Sequence, residues 1–166
     1  MPDFTIQRLS PDEGPRLREI RLRSLKDAPD AFSSSWEEVS QWPAERWTTQ
    51  LKEMTTLVAA IETAQGSRDI GMVRSADDTK NHQIRWLISM WTAPDVRRAG
   101  IGTALIFQLI EHLKLDGAAV LRLDVAKHNT GASALYRRMG FLPTGVVYTL
   151  PSPRHHITEI QYELTL

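Results

Sequence analysis

Apolar residues recur at three- and four-residue intervals along three stretches of the chain, and this spacing predicts amphipathic helices. The predicted helices cover residues 11–28, 102–115 and 130–139. Ser10 precedes the first of them and Glu13 stands three residues later, which is the spacing of a capping box. The stretch 36–52 predicts a further helix that is broken near Pro43.

Short runs of strand-forming residues separate these helices, and seven of them predict β-strands. They cover residues 4–9, 56–61, 70–73, 84–91, 118–126, 144–150 and 157–164. The order of elements is therefore β, α, α, β, β, β, α, β, α, β, β, with no repeat, low-complexity segment or linker. This order predicts one α/β domain over residues 1–166, with a mixed sheet flanked by helices.

Composition and charge exclude several classes of protein. Twenty Lys and Arg balance twenty Asp and Glu, so the chain lacks the basic field on which non-specific nucleic-acid binding depends. The absence of cysteine excludes disulfides, cysteine nucleophiles and thiolate metal sites. The start Met1-Pro2-Asp3 lacks the pattern of a signal peptide, and no apolar run approaches the length of a membrane span. We expect a cytoplasmic protein with neither a nucleic acid nor a membrane as partner.

A glycine-rich turn precedes the helix at 102–115. In Arg97-Arg98-Ala99-Gly100-Ile101-Gly102-Thr103 the glycines allow close approach of the backbone to a ligand, and the helix start offers free N–H groups to a phosphate. It is not a Walker loop, because Thr103 stands where that loop has Lys, nor a dinucleotide fingerprint, because Leu105 stands at the third glycine position. A turn that merely starts a helix is the alternative.

The glycine-rich turn is part of the first of two motifs in this region of the chain. One is Arg97-x-x-Gly100-x-Gly102, and the other is Asn129-x-x-Ala132-x-x-Leu135-Tyr136-x-x-Met139-Gly140-Phe141. The pair resembles the signatures of the GNAT superfamily of acyl-CoA-dependent N-acyltransferases. The resemblance implies a mostly antiparallel, mixed sheet whose central fourth and fifth strands splay apart.

The same resemblance implies where CoA binds. Its diphosphate would contact the backbone N–H groups of the turn, namely those of Arg97, Arg98, Ala99, Gly100, Ile101, Gly102 and Thr103. Arg98 stands where many members of the superfamily have Gly. Main-chain groups of Met90 and Thr92 would pair with the pantetheine arm, and Asn129 would contact it from the fifth strand. A helix N-cap is the alternative role for Asn129.

Catalytic roles also follow from the resemblance. Tyr136 occupies the position of a tyrosine whose hydroxyl faces the CoA sulfur, where it would protonate the leaving thiolate; a core aromatic is its alternative role. The backbone N–H of Met90 would stabilise the oxyanion. No carboxylate lies on the strand at 84–91, so the general base is not identified. The general base could be a water chain anchored by Ser89, or one of the carboxylates of Asp30, Glu37 and Glu38.

Aromatic residues indicate an acceptor site. Phe32, Trp36, Trp42 and Trp91 could form a wall for an apolar or cationic acceptor, with Glu37 beside it, although packing of the broken helix explains some of them. His155 and His156 are adjacent and point to opposite sides of a strand, so we expect no metal site.

The sequence therefore predicts an enzyme, an N-acetyltransferase that moves the acetyl group of acetyl-CoA to a primary amine of a small molecule by direct transfer in a ternary complex. Three alternatives stay open: a protein or peptide acetyltransferase, a non-catalytic acyl-CoA sensor, and a structural domain. A homodimer is compatible with the sequence.

Overall fold

The computed structural model describes residues 3–166, and seven strands form one sheet in it. The strands are β1 (Thr5–Arg8), β2 (Thr55–Thr63), β3 (Gly66–Asp77), β4 (Ile84–Thr92), β5 (Val120–Ala126), β6 (Leu142–Thr149) and β7 (Thr158–Thr165). Their spatial order is β1-β2-β3-β4-β5-β7-β6, and only the β4–β5 pair is parallel. The predicted mixed, mostly antiparallel sheet is confirmed. Met1 and Pro2 lie outside the described residues.

Five helices accompany the sheet: α1 (Gly14–Asp27), α2 (Trp36–Ser40), α3 (Ala44–Glu53), α4 (Ile101–Leu115) and α5 (Thr130–Arg138). The predicted break near Pro43 separates α2 from α3, since Pro43 is the N-cap of α3. The backbone N–H of Ser10 donates to the Glu13 carboxylate over 2.8 Å, as a capping box requires. Across residues 3–166, no helix combines the length and apolarity needed to cross a bilayer.

The helices cover both faces of the sheet. On β3, Gly71 faces α4, because a Cβ added there would lie 3.0 Å from Leu105 Cδ1. Three residues on, Arg74 points to the opposite face and donates to Gln50 of α3 over 3.0 Å. Successive side chains of a strand alternate between faces, so α4 lies on one side and α3 with α1 on the other. The main apolar core fills both layers.

The central strands separate soon after they pair. β4 and β5 are in register only from Ile84 to Trp86, opposite Val120 to Arg122, and the remaining six residues of β4 have no partner on β5. The two strands therefore separate toward the end of β4. The expected splay of the fourth and fifth strands is confirmed.

The structure extends the predicted hairpin between β2 and β3. β3 begins at Gly66 and runs to Asp77, whereas the apolar run predicted only residues 70–73. Polar ends of β3, such as Arg68, still pair with β2 because the ladder supplies backbone hydrogen bonds whatever the side chain is.

Substitution of Gly71 tests how tightly α4 packs on β3. In Gly71→Ala the new methyl group would lie 3.0 Å from Leu105 Cδ1, 3.1 Å from Ile101 Cγ2 and 3.3 Å from the Trp91 carbonyl oxygen. We expect the free energy of unfolding, measured in urea, to fall by about 1–3 kcal/mol. Gly131→Ala in α5, where a Cβ meets nothing within 4 Å, is the matched control and should be neutral or stabilising. Equal stability of Gly71→Ala and the parent protein would contradict the packing described.

Candidate active site

The turn before α4 is shaped by two residues in the left-handed region. Gly100, the N-cap of α4, has φ +82°, and Arg98 has φ +64°. A non-glycine residue in this region is strained by about 1 kcal/mol or more. The sequence resemblance placed Gly at the position of Arg98 in many relatives, and this backbone conformation gives the physical reason. The conformation of the turn therefore includes a small backbone strain at Arg98. The first N–H groups of α4 have no partner within the helix.

Gly102 lies where α4 approaches β4 and α5. A Cβ there would lie 3.1 Å from Met90 Cε and 3.3 Å from Leu135 Cδ2. With hydrogen at this position, the first turn of α4 packs against both side chains, whereas a larger residue would displace their flexible ends. The second glycine of the motif thus serves close packing of three elements beside the turn.

A β-bulge bends β4 near its end. Met72 of β3 faces Trp91 while Arg74 faces Ile88, so one extra residue lies on β4 between these pairs. Ser89, in the bulge, has φ +55°. A bulge leaves a backbone group outside the ladder and re-aims the strand. The neighbouring N–H of Met90 was the predicted oxyanion donor, and the bulge lies where that role needs a free donor.

A cavity of about 920 Å³ joins the turn to the loop after α1. Of the predicted site residues, it is lined by Phe32, Met90, Trp91, Thr92, Arg97, Arg98, Gly100, Ile101, Gly102, Thr103 and Asn129. Ala99, Trp36, Glu37 and Tyr136 do not line it. Residues 28–31, Gly131, Ala132, Leu135, Arg138 and His128 complete the wall. Two distant segments of the chain, one after α1 and one before α4, therefore share one cavity.

Three predicted aromatic or acidic residues lie elsewhere. Trp36 packs under the Lys26 ammonium at 4.8 Å from its ring centroid, and Trp42 stacks on Trp47 at 5.1 Å. Glu37 is exposed in the first turn of α2. Packing of the broken helix accounts for both tryptophans, as the alternative in the sequence analysis allowed.

Tyr136 is buried beside the cavity. Only 5% of the residue is exposed, and its ring packs edge to face on Phe141 at a centroid distance of 5.7 Å. Burial raises the pKa of the Tyr136 hydroxyl. Its neighbour Leu135 lines the cavity on the same helix. The phenol therefore stays protonated at neutral pH, a state in which it can donate a proton.

Asn129 caps α5. Its side-chain oxygen accepts a hydrogen bond from the backbone N–H of Ala132 over 3.2 Å. An asparagine amide also has two N–H donors, and Asn129 lines the cavity. The capping role is thus observed, while contact with a ligand stays a prediction.

A carboxylate that the sequence analysis did not select connects the two ends of the cavity. Asp27, the last residue of α1, accepts a hydrogen bond from Trp91 Nε1 over 2.8 Å and another from the Arg97 guanidinium. Arg97 Nε also donates to the Thr92 carbonyl over 3.1 Å. The Arg97 side chain is therefore bonded to protein groups, and its backbone N–H donates to the Pro94 carbonyl over 3.5 Å, so contact of Arg97 with a diphosphate stays a prediction.

The loop after α1 is held by the segment between β6 and β7. Arg154 donates to the Pro29 carbonyl over 2.6 Å, and His156 Nε2 lies 3.4 Å from Asp30 Oδ1. One predicted candidate base, Asp30, is thus engaged at this contact. The loop after α1, which lines the end of the cavity remote from the turn, is thus held in place by the β6–β7 segment.

A second carboxylate that the sequence analysis missed lies on the same face of the sheet as α1. Asp124 of β5 accepts from the Tyr148 hydroxyl over 2.9 Å, and Glu159 of β7 accepts from the same hydroxyl over 2.5 Å. The other oxygen of Asp124, Oδ1, is buried, and the Gln161 side chain of β7 lies beside the carboxylate. Burial raises the pKa of Asp124. In the sequence, its alternation with Leu123 and Val125 is that of an ordinary strand position, so no sequence signal marks it.

No group of three or more His, Cys, Asp or Glu side chains that could hold a metal ion occurs within residues 3–166. The site is therefore described by its backbone donors, its carboxylates and its aromatic rings.

The sequence profile of the family described as "Acetyltransferase (GNAT) family" matches residues 19–141. An Escherichia coli protein, the [ribosomal protein bS18]-alanine N-acetyltransferase, is 42% identical over 55 residues, which are 33% of this chain and 37% of that protein. The chain spans about a third of the length of the curated relatives that it matches.

Solved structures share the fold across nearly the whole chain. A GNAT-family acetyltransferase from Streptococcus pneumoniae superimposes with a TM-score of 0.80 at 19% identity, covering 99% of this chain and 100% of that one. The PaiA N-acetyltransferase of Thermoplasma acidophilum, solved in complex with coenzyme A, gives a TM-score of 0.72 at 18% identity, covering 99% of each chain. At identities of 18–19%, these comparisons show that the fold is shared and nothing further.

The raised pKa of Asp124 predicts a pH dependence of stability. Because the pKa is higher in the folded than in the unfolded state, the free energy of unfolding falls as the pH rises from the unfolded pKa through the folded pKa, and the loss is complete above the folded pKa. Asp124→Asn should therefore have a thermal midpoint a few degrees above that of the parent protein at pH 8, and the gap should close as the pH falls toward about 4. The exposed strand residue Glu62 supplies the control variant Glu62→Gln. If the thermal midpoints of Asp124→Asn and the parent protein differ by the same amount at pH 8 and at about pH 4, ionisation of Asp124 does not cause the difference.

Proposed function

We propose that this chain, which belongs to the acetyltransferase (GNAT) family, transfers the acetyl group of acetyl-CoA to a primary amine of a small molecule. Transfer is direct, in a ternary complex of protein, acetyl-CoA and amine. The cavity of about 920 Å³ supports this most, because it extends from the turn before α4 to the loop after α1. A donor and an acceptor entering from these two ends can meet between the separated strands β4 and β5.

The turn end of the cavity suits the CoA diphosphate. Gly100 and Gly102 border it, the helix α4 offers its first N–H groups, and the positive end of the helix dipole favours an anion. Arg98 lines the cavity and adds a cationic side chain. The pantetheine arm would follow the edge of β4 that β5 leaves free, where Met90 and Thr92 present main-chain groups.

The chemistry requires a neutral amine, because its nitrogen lone pair attacks the thioester carbonyl carbon. A lysine-type amine has a pKa near 10.4, so a base must take a proton. Of the carboxylates described above, Asp30 lines the cavity, whereas Asp124, Glu37 and Glu38 do not, so Asp30 takes this role in the proposal.

The C–N bond forms as the tetrahedral intermediate develops, and the backbone N–H of Met90 in the β4 bulge stabilises its oxyanion. On collapse the C–S bond breaks and the CoA thiolate leaves. Tyr136 supplies the proton to the thiolate, and its phenolate regains a proton from solvent before the next turnover.

The loop after α1, which lines the acceptor end of the cavity, is held by Arg154 and His156 of the β6–β7 segment through Pro29 and Asp30. A loop held in this way favours a small acceptor in this proposal. A protein N-terminus is nevertheless a second candidate, because the matched Escherichia coli relative is by name a ribosomal-protein alanine N-acetyltransferase.

Release of free thiol from acetyl-CoA tests the proposal. The protein is incubated with acetyl-CoA and a panel of small primary amines, and in parallel with peptides that begin with alanine. Turnover on small amines supports the proposal, and turnover restricted to peptides supports the second candidate. Saturable CoA binding without turnover on any acceptor would leave an acyl-CoA sensor.

Gly102→Val tests the placement of CoA. The new side chain displaces Met90 Cε and Leu135 Cδ2, both flexible groups at the cavity wall, so the fold persists while the cavity narrows. We expect the Kd for CoA, from a thermal-shift titration, to rise roughly 10-fold or more, which is about 1.4 kcal/mol. Gln108→Val places the same residue on the exposed face of α4 as a control. Unchanged affinity in Gly102→Val would show that the ligand binds elsewhere.

Tyr136→Phe tests the proposed acid. Removal of the hydroxyl should lower kcat by about 10-fold or more, with little change in CoA affinity, because positioned acids contribute factors of that size. Tyr162→Phe is the control: its hydroxyl accepts hydrogen bonds from Arg137 on the far side of α5 and has no part in the proposed chemistry. A kcat for Tyr136→Phe equal to that of the parent protein would remove Tyr136 from the mechanism.

A further inference from the structure

The carboxylate of Asp27 is bonded to two residues that line the cavity. It accepts a hydrogen bond from Trp91 Nε1 over 2.8 Å and forms an ion pair with the Arg97 guanidinium. Trp91 is only 5% exposed, and the guanidinium of Arg23 lies over its ring at 5.4 Å from the centroid. Because Asp27 and Arg23 both belong to α1, that helix holds the Trp91 side chain at two points.

Arg97 brings the end of β4 and the start of the turn to the same carboxylate. Its Nε donates to the Thr92 carbonyl over 3.1 Å, while its Nη2 contacts Asp27. Trp91 precedes Thr92 in β4. The first and last residues of the segment 91–97 therefore both bind Asp27.

In the proposed function, CoA binds next to both of these contacts. Met90 and Thr92, on either side of Trp91, present main-chain groups to the pantetheine arm, and the turn that begins at Arg97 receives the diphosphate. Bound CoA would favour one arrangement of these two segments, and with it one position of the two donors to Asp27.

On its other side, Asp27 leads directly into the acceptor loop (residues 28–32). Asp27 is the last residue of α1, and each residue of the acceptor loop lines the end of the cavity remote from the turn. The loop carries Asp30, the base of the proposed function. Inside the loop, the backbone N–H of Ala31 donates to the Ala28 carbonyl over 3.1 Å. The chain therefore connects the carboxylate of Asp27 to the base without an intervening element.

We propose that Asp27 is a positioning residue that transmits the binding of CoA at the turn to the acceptor loop. The inference rests on the proposed function and deepens it, because the loop that carries the base becomes ordered when the acetyl donor is bound. The ion pair with Arg97 is partly exposed, and a pair of this kind contributes little by itself. The coupling therefore depends on the bond to the buried Trp91 indole as well.

Hydrogen exchange of the acceptor loop tests the proposal without turnover. Exchange of its backbone amides is measured by mass spectrometry with and without saturating CoA, for the parent protein, Asp27→Leu and Asp27→Asn. We expect CoA to slow exchange in the parent protein by about 5-fold or more, the lower end of the range for coupled sites. The slowing should disappear in Asp27→Leu, which removes both contacts. It should return in part in Asp27→Asn, whose amide oxygen can still accept from Trp91 Nε1.

Arg154→Met is the matched control for a purely structural role. Arg154 also holds the acceptor loop, by donating to the Pro29 carbonyl over 2.6 Å, and within residues 3–166 it is bonded to neither Trp91 nor Arg97. In Arg154→Met the loop should exchange faster both with and without CoA, and the slowing by CoA should remain.

Three results would overturn the proposal. One is a parent protein that binds CoA and shows no slowing in the acceptor loop. Another is slowing that persists in Asp27→Leu, because CoA would then act on the loop without Asp27. If Asp27→Leu does not fold, slowing in Asp27→Asn equal to that in the parent protein would overturn it instead. Failure of the proposed function shows separately, as the absence of thiol release from acetyl-CoA.

Discussion

The separation of β4 from β5 is the constraint on which the rest of the site depends. The two strands share only three residue pairs, and beyond Trp86 nothing on β5 faces β4. A parallel pair that continued would fill the space in which the cavity lies. Because it does not, backbone groups near Met90 are left beside a cavity, and the helices that follow β4 and β5 border the same opening.

Close packing of α4 stabilises the elements that border this opening. Gly71 and Gly102 let the helix approach β3 on one side and the Met90 and Leu135 side chains on the other. The bulge at Ser89 turns the end of β4 so that Trp91 reaches Asp27 of α1. Asp27 in turn holds Arg97, which ties the end of the first helix to the turn before α4. The two ends of the cavity are thus joined through one carboxylate.

Most of the architecture could be predicted from the sequence, because apolar spacing and turn residues are local signals. The helical spacing of apolar residues predicted α4 and α5, and the paired glycines predicted the turn before α4. In that turn, Gly100 adopts a left-handed conformation. Side chains whose partners are distant in sequence could not be placed in this way. Arg97 was expected at a phosphate, yet Asp27, seventy residues away, holds its guanidinium.

Two buried charged side chains were missed for the same reason. Asp124 reads as an ordinary exposed position of an alternating strand, and Arg21 as one of several arginines on the polar side of a helix. Only the packed structure shows that Asp124 Oδ1 and Arg21 Nη1 are buried. Burial depends on the elements that cover a residue, and a single sequence does not specify them.

A crystal structure of the protein with acetyl-CoA tests the central claim most directly. The account predicts the diphosphate against the backbone of residues 97–103, the pantetheine arm along the free edge of β4, and the sulfur within hydrogen-bond reach of the Tyr136 hydroxyl. Acetyl-CoA bound outside the opening between β4 and β5, or a sulfur remote from Tyr136, would contradict it.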